Sequence, residues 1–562
     1  MPATFPGGTL EDFKLWSREV RDYRIEQSLK PARVRLWDGD WIYRGTATNL
    51  MPGGKAEIND FADGSITFDL PISRDDRRKY FLAYWILKQY ERKESVHVTV
   101  DKSGGRVSGF LVEATLKRDK GGDYVSCTFA EDFAELRNVH VAPNPFLPLW
   151  LIQFPRIFFL WCSSMYGLKL ALMLNLMRLQ LTNFDLGSDP LSPSGPAGTS
   201  GFWAQSQIVV KPMHVAADIS PTTIITAAMD SWTDVAEPVM EDAELFLERR
   251  RYLTGDPEPW PGAGTNFRNG TLIVDVVDKS GYRTGTSIGG NLLSGLTRMF
   301  ATTAGNSSED AYNLFTGTPD PSGYQVANWL GTYPSMPYVI YRDGDITGIE
   351  TYDFRIIQGG PCRITVGGAS MPGVNEIIKA GVNYLGDVVG DNMVIAGYGV
   401  GSLGSSINTF LEPIYKDTLL SYMSLPLLDR VARQGWGHRL ETTGTGAVQA
   451  YTPAALIALR TRRRETDPDT AFNVSVRDAG PWLIGDQGRG HWWLGDRVGA
   501  TSRYDPQRVY VNRCRSLSIP LEMSGSIEAT FGAPRTKQDP LDRMLKLIGK
   551  AMSGLQQIGL MG

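Results

Sequence analysis

The sequence predicts an α+β, β-rich multidomain protein, built from small antiparallel β-barrels or sandwiches with helices inserted between them. Three observations carry this. Glycine and proline are abundant, 60 and 33 among 562 residues, which favours many turns and short strands over long bundles. From Val34 to Phe129 apolar residues recur at a period of two, punctuated by turn dipeptides. Helical periodicity is confined to separate stretches near the termini and between the strand-rich regions.

Taken in order, Thr9 opens a helix with Asp12 as its capping-box partner, and Phe13, Trp16, Val20 and Tyr23 follow at helical spacing until Pro31 ends it. This helix is either a packed lid or an arm reaching a neighbour. VRLW, WIYRG, SITFDL, VHVTV, VSGFLVEATL and YVSCTF then read as strands. Asp38-Gly39, Met51 to Gly54, Lys102 to Gly105 and Lys120 to Gly122 supply the turns between them.

The stretch Asn144 to Leu181 is the most apolar. Pro145, Pro148 and Pro155 break its first part, and only 12 uncharged residues separate Arg156 from Lys169. A bilayer core needs ~20, and each charge within it would cost roughly 3 kcal/mol. The expectation is therefore a long helix over 156–184, buried in protein, with no stable membrane insertion. Leu186 to Gly201 is a Pro/Gly/Ser linker.

Beyond it, EDAELFLERRRYL (Glu241–Leu253) predicts a helix, with acids in its first turn, arginines in its last and Gly255 just past the end. GTLIVDVVDKSG reads as a strand and turn. FRII and CRITV predict strands. Helices are expected over Asn375–Val389, Thr418–Gln434 and Thr452–Arg463, and strands at FNVSV, PWLIG, HWWLGDRVG and RVYVNRC. Near the C-terminus Leu541, Met544, Leu545, Ile548, Met552 and Leu555 share one helical face. The chain divides accordingly into an N-terminal helical arm (1–30), a β-barrel domain (31–142), an apolar helical insertion and linker (143–200), a mixed α/β domain (201–350), a helix-rich domain (351–464), a second β domain (465–525) and a C-terminal amphipathic helix (526–562).

Motifs of known chemistry fail on their context. Gly399, Gly401 and Gly404 have dinucleotide-loop spacing, but a Rossmann turn needs a helix opening at the third glycine, and Pro413 cuts any such helix short. The stretch Gly285 to Gly290 lacks the Gly-Lys-Ser/Thr ending of a phosphate loop. The histidines, His97, His140, His214, His438 and His491, show no metal-ligand spacing. Cys127, Cys162, Cys362 and Cys514 are far apart and read as free core thiols. No G-x-S-x-G elbow is present. No cofactor, metal or catalytic residue is expected. A net charge of −4 offers no basic surplus for nucleic acid or anionic lipid.

A set of stretches in consistent order nevertheless forms a pattern. In the first half these are WDGDW, VHVTVDKSGGRVSGF, NPFLP with QFPR, and NGTLIVDVVDKSG with GTSIGG. In the second they are VGGASMPGVNE, RQGWGH, AYTPAALIALR and HWWLGDRVG. Over Leu36 to Cys514 the chain resembles the minor tail proteins of actinobacteriophages, the mycobacteriophage type of siphophage tail-hub or baseplate-hub protein. The resemblance implies a structural, non-enzymatic subunit of the virion tail tip, assembled in the bacterial host cytoplasm. It implies a homotrimer closing the tail tube, with the distal tail protein, the tape-measure protein and other minor tail proteins as neighbours. Phage DNA would pass without specific binding.

A ring subunit needs extended self-complementary surfaces. Phe158, Leu160, Leu172 and Leu176 of the apolar insertion and Leu541, Met544, Leu545 and Ile548 of the terminal helix are the candidate subunit interface. Two other readings are a tail-associated cell-wall hydrolase, marked by convergent carboxylates, and a receptor- or glycan-binding tail-tip protein, with Trp436, Trp492 and Trp493 as its aromatic candidates.

Overall fold

The computed structural model describes residues 7–48, 50–73, 75–88, 93–146, 156–180, 191–193, 196–218, 220, 222–280, 311–313, 337, 339–344, 347–369, 394–395, 398–399, 422–449, 462, 466, 469–522 and 525–532. They fall into two compact units. The first draws on Met1–Phe354 and Phe472–Arg535, the second on Arg355–Ala471.

In the first unit, helix α1 (Leu10–Ser28) starts as its sequence dictates. The Thr9 hydroxyl accepts the Asp12 N–H, and the Asp12 carboxylate accepts the Thr9 N–H at 2.8 Å. Most of the helix is exposed, Leu10 at 70%. It touches its own chain through Arg24, which donates to the Pro481 carbonyl at 2.5 Å and lies over the Trp482 ring.

The six strands expected between Val34 and Phe129 form, as β1 (Arg33–Asp38), β2 (Tyr43–Thr46), β4 (Ala62–Ile72), β5 (Val96–Lys102), β6 (Gly105–Asp119) and β7 (Gly122–Glu131), and a seventh that was not expected, β3 (Lys55–Asn59), lies between β2 and β4. Helix α2 (Phe81–Leu87) follows β4, and α3 (Phe133–Arg137) follows β7. Lys102 pairs with Gly105, so Ser103 and Gly104 form the whole β5–β6 loop. Both have positive φ, 48° and 82°, the geometry of a type I′ hairpin turn.

These strands do not close on themselves. β3 pairs with β23 (Asp505–Pro520), about 450 residues away, matching Leu517 to Ile58 and Ile519 to Ala56. β23 pairs in turn with β22 (Arg497–Ser502) and β24 (Glu528–Gly532), β24 with β21 (Asp469–Arg477), and β21 with β15 (Ile349–Ile357). Short strands β13 (Ala311–Asn313) and β14 (Ile340–Tyr341) join at the side. The sheet is an open path from β15 to β2, and no sheet among the described residues closes as a barrel. Period-two alternation specifies one buried face and is the same for an open sheet and a barrel. The 31–142 and 465–525 segments thus share one sheet and one core, with Leu36, Ile66, Phe68, Val98, Phe129, Leu517, Ile519 and Phe531 among its buried side chains.

A second core surrounds the apolar insertion, and here the expected 156–184 helix is corrected. Phe158–Ser163 is a strand, β8, paired antiparallel with β10 (Thr222–Ala227). Only Ser164–Gln180 is helix, α4, while 181–184 lie outside the described residues. Uniform apolarity carries no periodicity to separate strand from helix. The local signal is composition: aromatic Phe158, Phe159 and Trp161 suit a strand, and the Leu/Met/Ala run after Met165 suits a helix.

Helix α4 is buried nearly all round. Lys169 lies within it and pairs with Asp275 at 2.5 Å, and the Asn175 carbonyl oxygen accepts the Ala142 N–H at 2.9 Å. Leu172 and Leu176 are 0% and 1% exposed. Phe158 is buried in the same core, and Leu160 packs against it. Leu541, Met544, Leu545 and Ile548 lie outside the described residues. Among the described residues no helix is long and apolar enough to cross a membrane.

The expected Glu241–Leu253 helix is also corrected. Helix α5 (Trp232–Asp242) ends there. Glu244 turns with φ 51°, and Leu245–Arg251 forms strand β11. β11 pairs antiparallel with β12 (Leu272–Asp278), which pairs parallel with β9 (Ile208–Val210). The charge order that suits a helix dipole is outweighed by seven registered strand pairs. The Leu186–Gly201 linker is partly packed: Leu191 and Ala197 are buried in the second core.

In the second unit, β16 (Arg363–Ala369) lies between antiparallel β19 (Tyr422–Pro426) and parallel β20 (Glu441–Gln449). Within the expected Thr418–Gln434 helix the described residues form β19, which ends on Pro426, and α6 (Leu428–Gln434); a proline costs a helix interior one hydrogen bond, which favours the break there. A hairpin of β17 (Val394–Ile395) and β18 (Tyr398–Gly399) contains the first glycine of the dinucleotide-like spacing. Gly401, Gly404, the Gly285–Gly290 stretch, the Asn375–Val389 helix and almost all of Thr452–Arg463 lie outside the described residues. PWLIG contributes only the Ile484 bridge to Trp492, and HWWLGDRVG becomes strand only at Arg497.

Candidate functional site

The densest chemistry in the first unit lies where β11 crosses the ends of the large sheet. Successive residues of a strand face opposite ways, and Arg249, Arg250 and Arg251 obey this. Arg249 donates to Glu131 at 2.6 Å and to the Asn59 carbonyl at 2.9 Å. Arg251, on the same side, pairs with Asp132 at 2.8 Å and with Glu135, and donates to the Gly270 carbonyl at 2.9 Å. Arg250 turns the other way and donates to the Gly104 carbonyl at 2.9 Å. The three arginines are the strand's grip on the large sheet and not a helix end.

Other pairs extend the joint. Arg106 bridges Asp101 and Asp256 and donates to the Arg251 carbonyl. Asp60, in the β3–β4 turn, accepts from Arg513 at 3.0 Å and Arg515 at 2.8 Å, and Arg513 also reaches the Leu245 carbonyl. Burial pushes the Glu131 carboxyl upward, against the pull of Arg249. For Arg251 the nearby Asp132 and Glu135 charges outweigh the effect of burial and hold its guanidinium more firmly protonated. A fully buried arginine needs such partners.

Beside Arg251, Trp41 is sandwiched by charge and ring contacts. Its indole stacks on His97 with centroids 4.5 Å apart, and the Arg251 guanidinium lies 4.8 Å from its centroid. Trp41 has φ 59°, and its carbonyl accepts from Asn269 at 2.6 Å. Gly270 approaches so closely, at φ 86°, that a Cβ there would lie 2.0 Å from the indole.

Burial, then the Arg251 charge, depress His97 from 6.5 to about 4. The folded state therefore refuses a proton that the unfolded chain accepts below pH 6.5. Above pH 6.5 both states are neutral there and stability is unaffected. As pH falls from 6.5 through about 4, His97 is expected to remove up to about 3 kcal/mol. Urea unfolding of the wild type and His97→Phe at pH 7.5, 5.5 and 4.5 checks this. The variant should lose part of the acid sensitivity, and equal pH slopes would refute it.

The residues singled out in the sequence are dispersed. Trp492 is a core side chain donating to the Tyr341 hydroxyl at 3.1 Å, and Trp493 packs against Gly105. Trp436, between Gly435 and Gly437 in the second unit, is fully exposed. His140 bridges to Ser231 through backbone, His438 contacts the Gly435 carbonyl, and His491 lies against Trp482 and Arg24. Among the described residues no three His, Cys, Asp or Glu side chains are arranged to hold a metal. The four cysteines are free thiols, three of them buried. Sequence reasoning missed the joint because the acids that pair with Arg249 and Arg251 lie more than 100 residues away.

Comparison with known proteins now supplies a class. A family model described as Siphovirus ReqiPepy6 Gp37-like protein matches residues 33–533, and the chain belongs to that family. Among individual proteins, it is 29% identical to Minor tail protein Gp28 of Mycobacterium phage L5, covering 97% of this chain and 98% of that one. Gp28 of Mycobacterium phage D29 is likewise 29% identical, with the same coverage. Among solved structures, the prophage tail protein gp18 from Listeria monocytogenes EGD-e aligns at 9% identity and TM-score 0.34, over 92% of this chain and 99% of that one. A tail protein from Neisseria meningitidis MC58 aligns at 11% identity and TM-score 0.34, over 91% and 98%.

Proposed function

We propose that this chain is a minor tail protein of a long-tailed bacteriophage and forms the hub of its tail tip. In this reading it is a non-enzymatic virion component, a homotrimer that closes the tail tube. It links the tube to the distal tail protein, the tape-measure protein and other minor tail proteins, for host attachment and DNA delivery. The observation that carries the reading is the near full-length match to two minor tail proteins, on top of family membership. The buried joint supports it physically, since a subunit that transmits load between neighbours benefits from charge pairs that fix one packing arrangement. The acidic balance, net −4, suits a channel that passes DNA without holding its phosphates. A receptor-binding role draws support from a different feature, the fully exposed Trp436.

Antibody labelling of phage particles, viewed by electron microscopy, tests the hub reading. Label confined to the tail tip is the expected result. Unlabelled intact particles with the protein free in the lysate would overturn it.

A further inference from the structure

Helix α4 meets strand β12 through a lysine and an aspartate that lie inside the second core. Lys169 Nζ is 2.5 Å from Asp275 Oδ1, and the two side chains are 4% and 8% exposed. Every other lysine–carboxylate pair among the described residues has a partner at least 35% exposed. Asp275 Oδ1 is nevertheless buried with no hydrogen-bond partner. At such a separation only direction disqualifies the contact, so the nitrogen approaches the carboxyl off the line that a hydrogen bond needs. The carboxyl C–O bond adds at most about 1.2 Å, so Nζ lies within about 3.7 Å of Cγ. Reacting atoms held about 3–3.5 Å apart and aligned behave as if at an effective concentration of about 10⁵ M or more.

The surroundings favour condensation over a lasting ion pair. A buried ammonium and a buried carboxylate each carry a desolvation penalty that a neutral amide does not. Lys211, just beyond β9, places its Nζ 3.1 Å from Asp275 Oδ2. There it stabilises the negative charge that grows on Oδ2 as a nucleophile adds to Cγ. Glu248 is directly opposite Asp275 in the β11–β12 pair, so it shares that face of the sheet and offers a second carboxylate for proton exchange. We propose that Lys169 and Asp275 are joined by an intramolecular amide bond that locks α4 to β12. Nζ gives up a proton and adds to Cγ, so the Nζ–Cγ bond forms and the Cγ–Oδ1 bond breaks. Oδ1 leaves as water with two of the three ammonium protons, and Oδ2 stays as the amide oxygen, facing Lys211. No oxidant, reductant or cofactor is consumed. The bond stands independently of the hub reading.

Intact-mass spectrometry of the full-length protein, purified folded and denatured just before measurement, tests it. The expected mass is that of the sequence less one water. A tryptic digest should contain a branched peptide in which fragmentation places the missing water between Lys169 and Asp275. Trypsin should not cut after Lys169, whose charge is gone. Lys169→Met and Asp275→Ala should each return to their full sequence mass, and the wild-type measurement decides the matter even if neither variant folds. A wild type at full sequence mass, with linear peptides ending at Lys169, would overturn the proposal. So would a water loss that fragmentation places at any other residue.

Discussion

Replacing Arg251 by methionine is expected to destabilise the first unit by about 3–5 kcal/mol, the cost of leaving buried charges unpaired. Methionine keeps the packing of the aliphatic stem and removes the guanidinium, so the loss is chiefly electrostatic. Asp132 and Glu135 lose their shared cation, the Gly270 carbonyl loses its donor, and Trp41 loses the guanidinium over its ring. Arg251 and Asp132 are each 2% exposed as side chains, so salt should screen the effect little. Urea denaturation followed by fluorescence reads it as a lowered midpoint. Arg251→Met combined with Asp132→Asn should recover part of the loss, because one stranded charge is removed with its partner. A single-variant loss below about 1 kcal/mol would mean that the joint is solvated and the ion pair incidental.

Trp232→Ala should cost a similar amount, about 3–5 kcal/mol, for a different reason. Trp232 opens α5, is 0% exposed, and donates its Nε1–H to the Leu168 carbonyl at 3.2 Å. Its backbone N–H is held by the Val139 carbonyl, and its ring faces Phe61 at 6.4 Å. The Trp232 side chain therefore ties α4 to α5 in the second core, while its backbone holds the loop after α3. Alanine leaves a hole that rigid neighbours cannot close. Trp232→Phe keeps most of the volume and loses the hydrogen bond, so about 1 kcal/mol is expected. Thermal unfolding of both variants separates the two terms. Equal melting temperatures for Trp232→Ala and the wild type would show that α4 and α5 are not packed as described.

Much of the large sheet could be read from local chemistry. Alternation from Val34 to Phe129 makes one face apolar, and Ser103-Gly104 supplies a two-residue turn whose φ angles suit a hairpin. Thr9 and Asp12 cap α1 within three residues of each other, so the signal and the contact coincide. The errors fall where local signal is degenerate. In Arg156–Leu181 every face is apolar, and strand and helix look alike. In Leu245–Arg251 the charges fit a helix end as well as a strand.

The sequence by itself determined the β-rich class, six of the seven strands of the first 131 residues with the turns between them, the α1 cap, the free cysteines and the family resemblance. Each of these is encoded within a few residues or in ordered motifs. Only the tertiary structure decided that β3 pairs with β23, that 158–163 and 245–251 are strands, that Leu172 and Leu176 serve the chain's own core, and that Arg249 and Arg251 meet Glu131 and Asp132. Pairing and burial of this kind depend on which distant partner satisfies a strand edge or a buried charge. That partner is set by the free energy of the whole packed unit, and no local window of residues contains it.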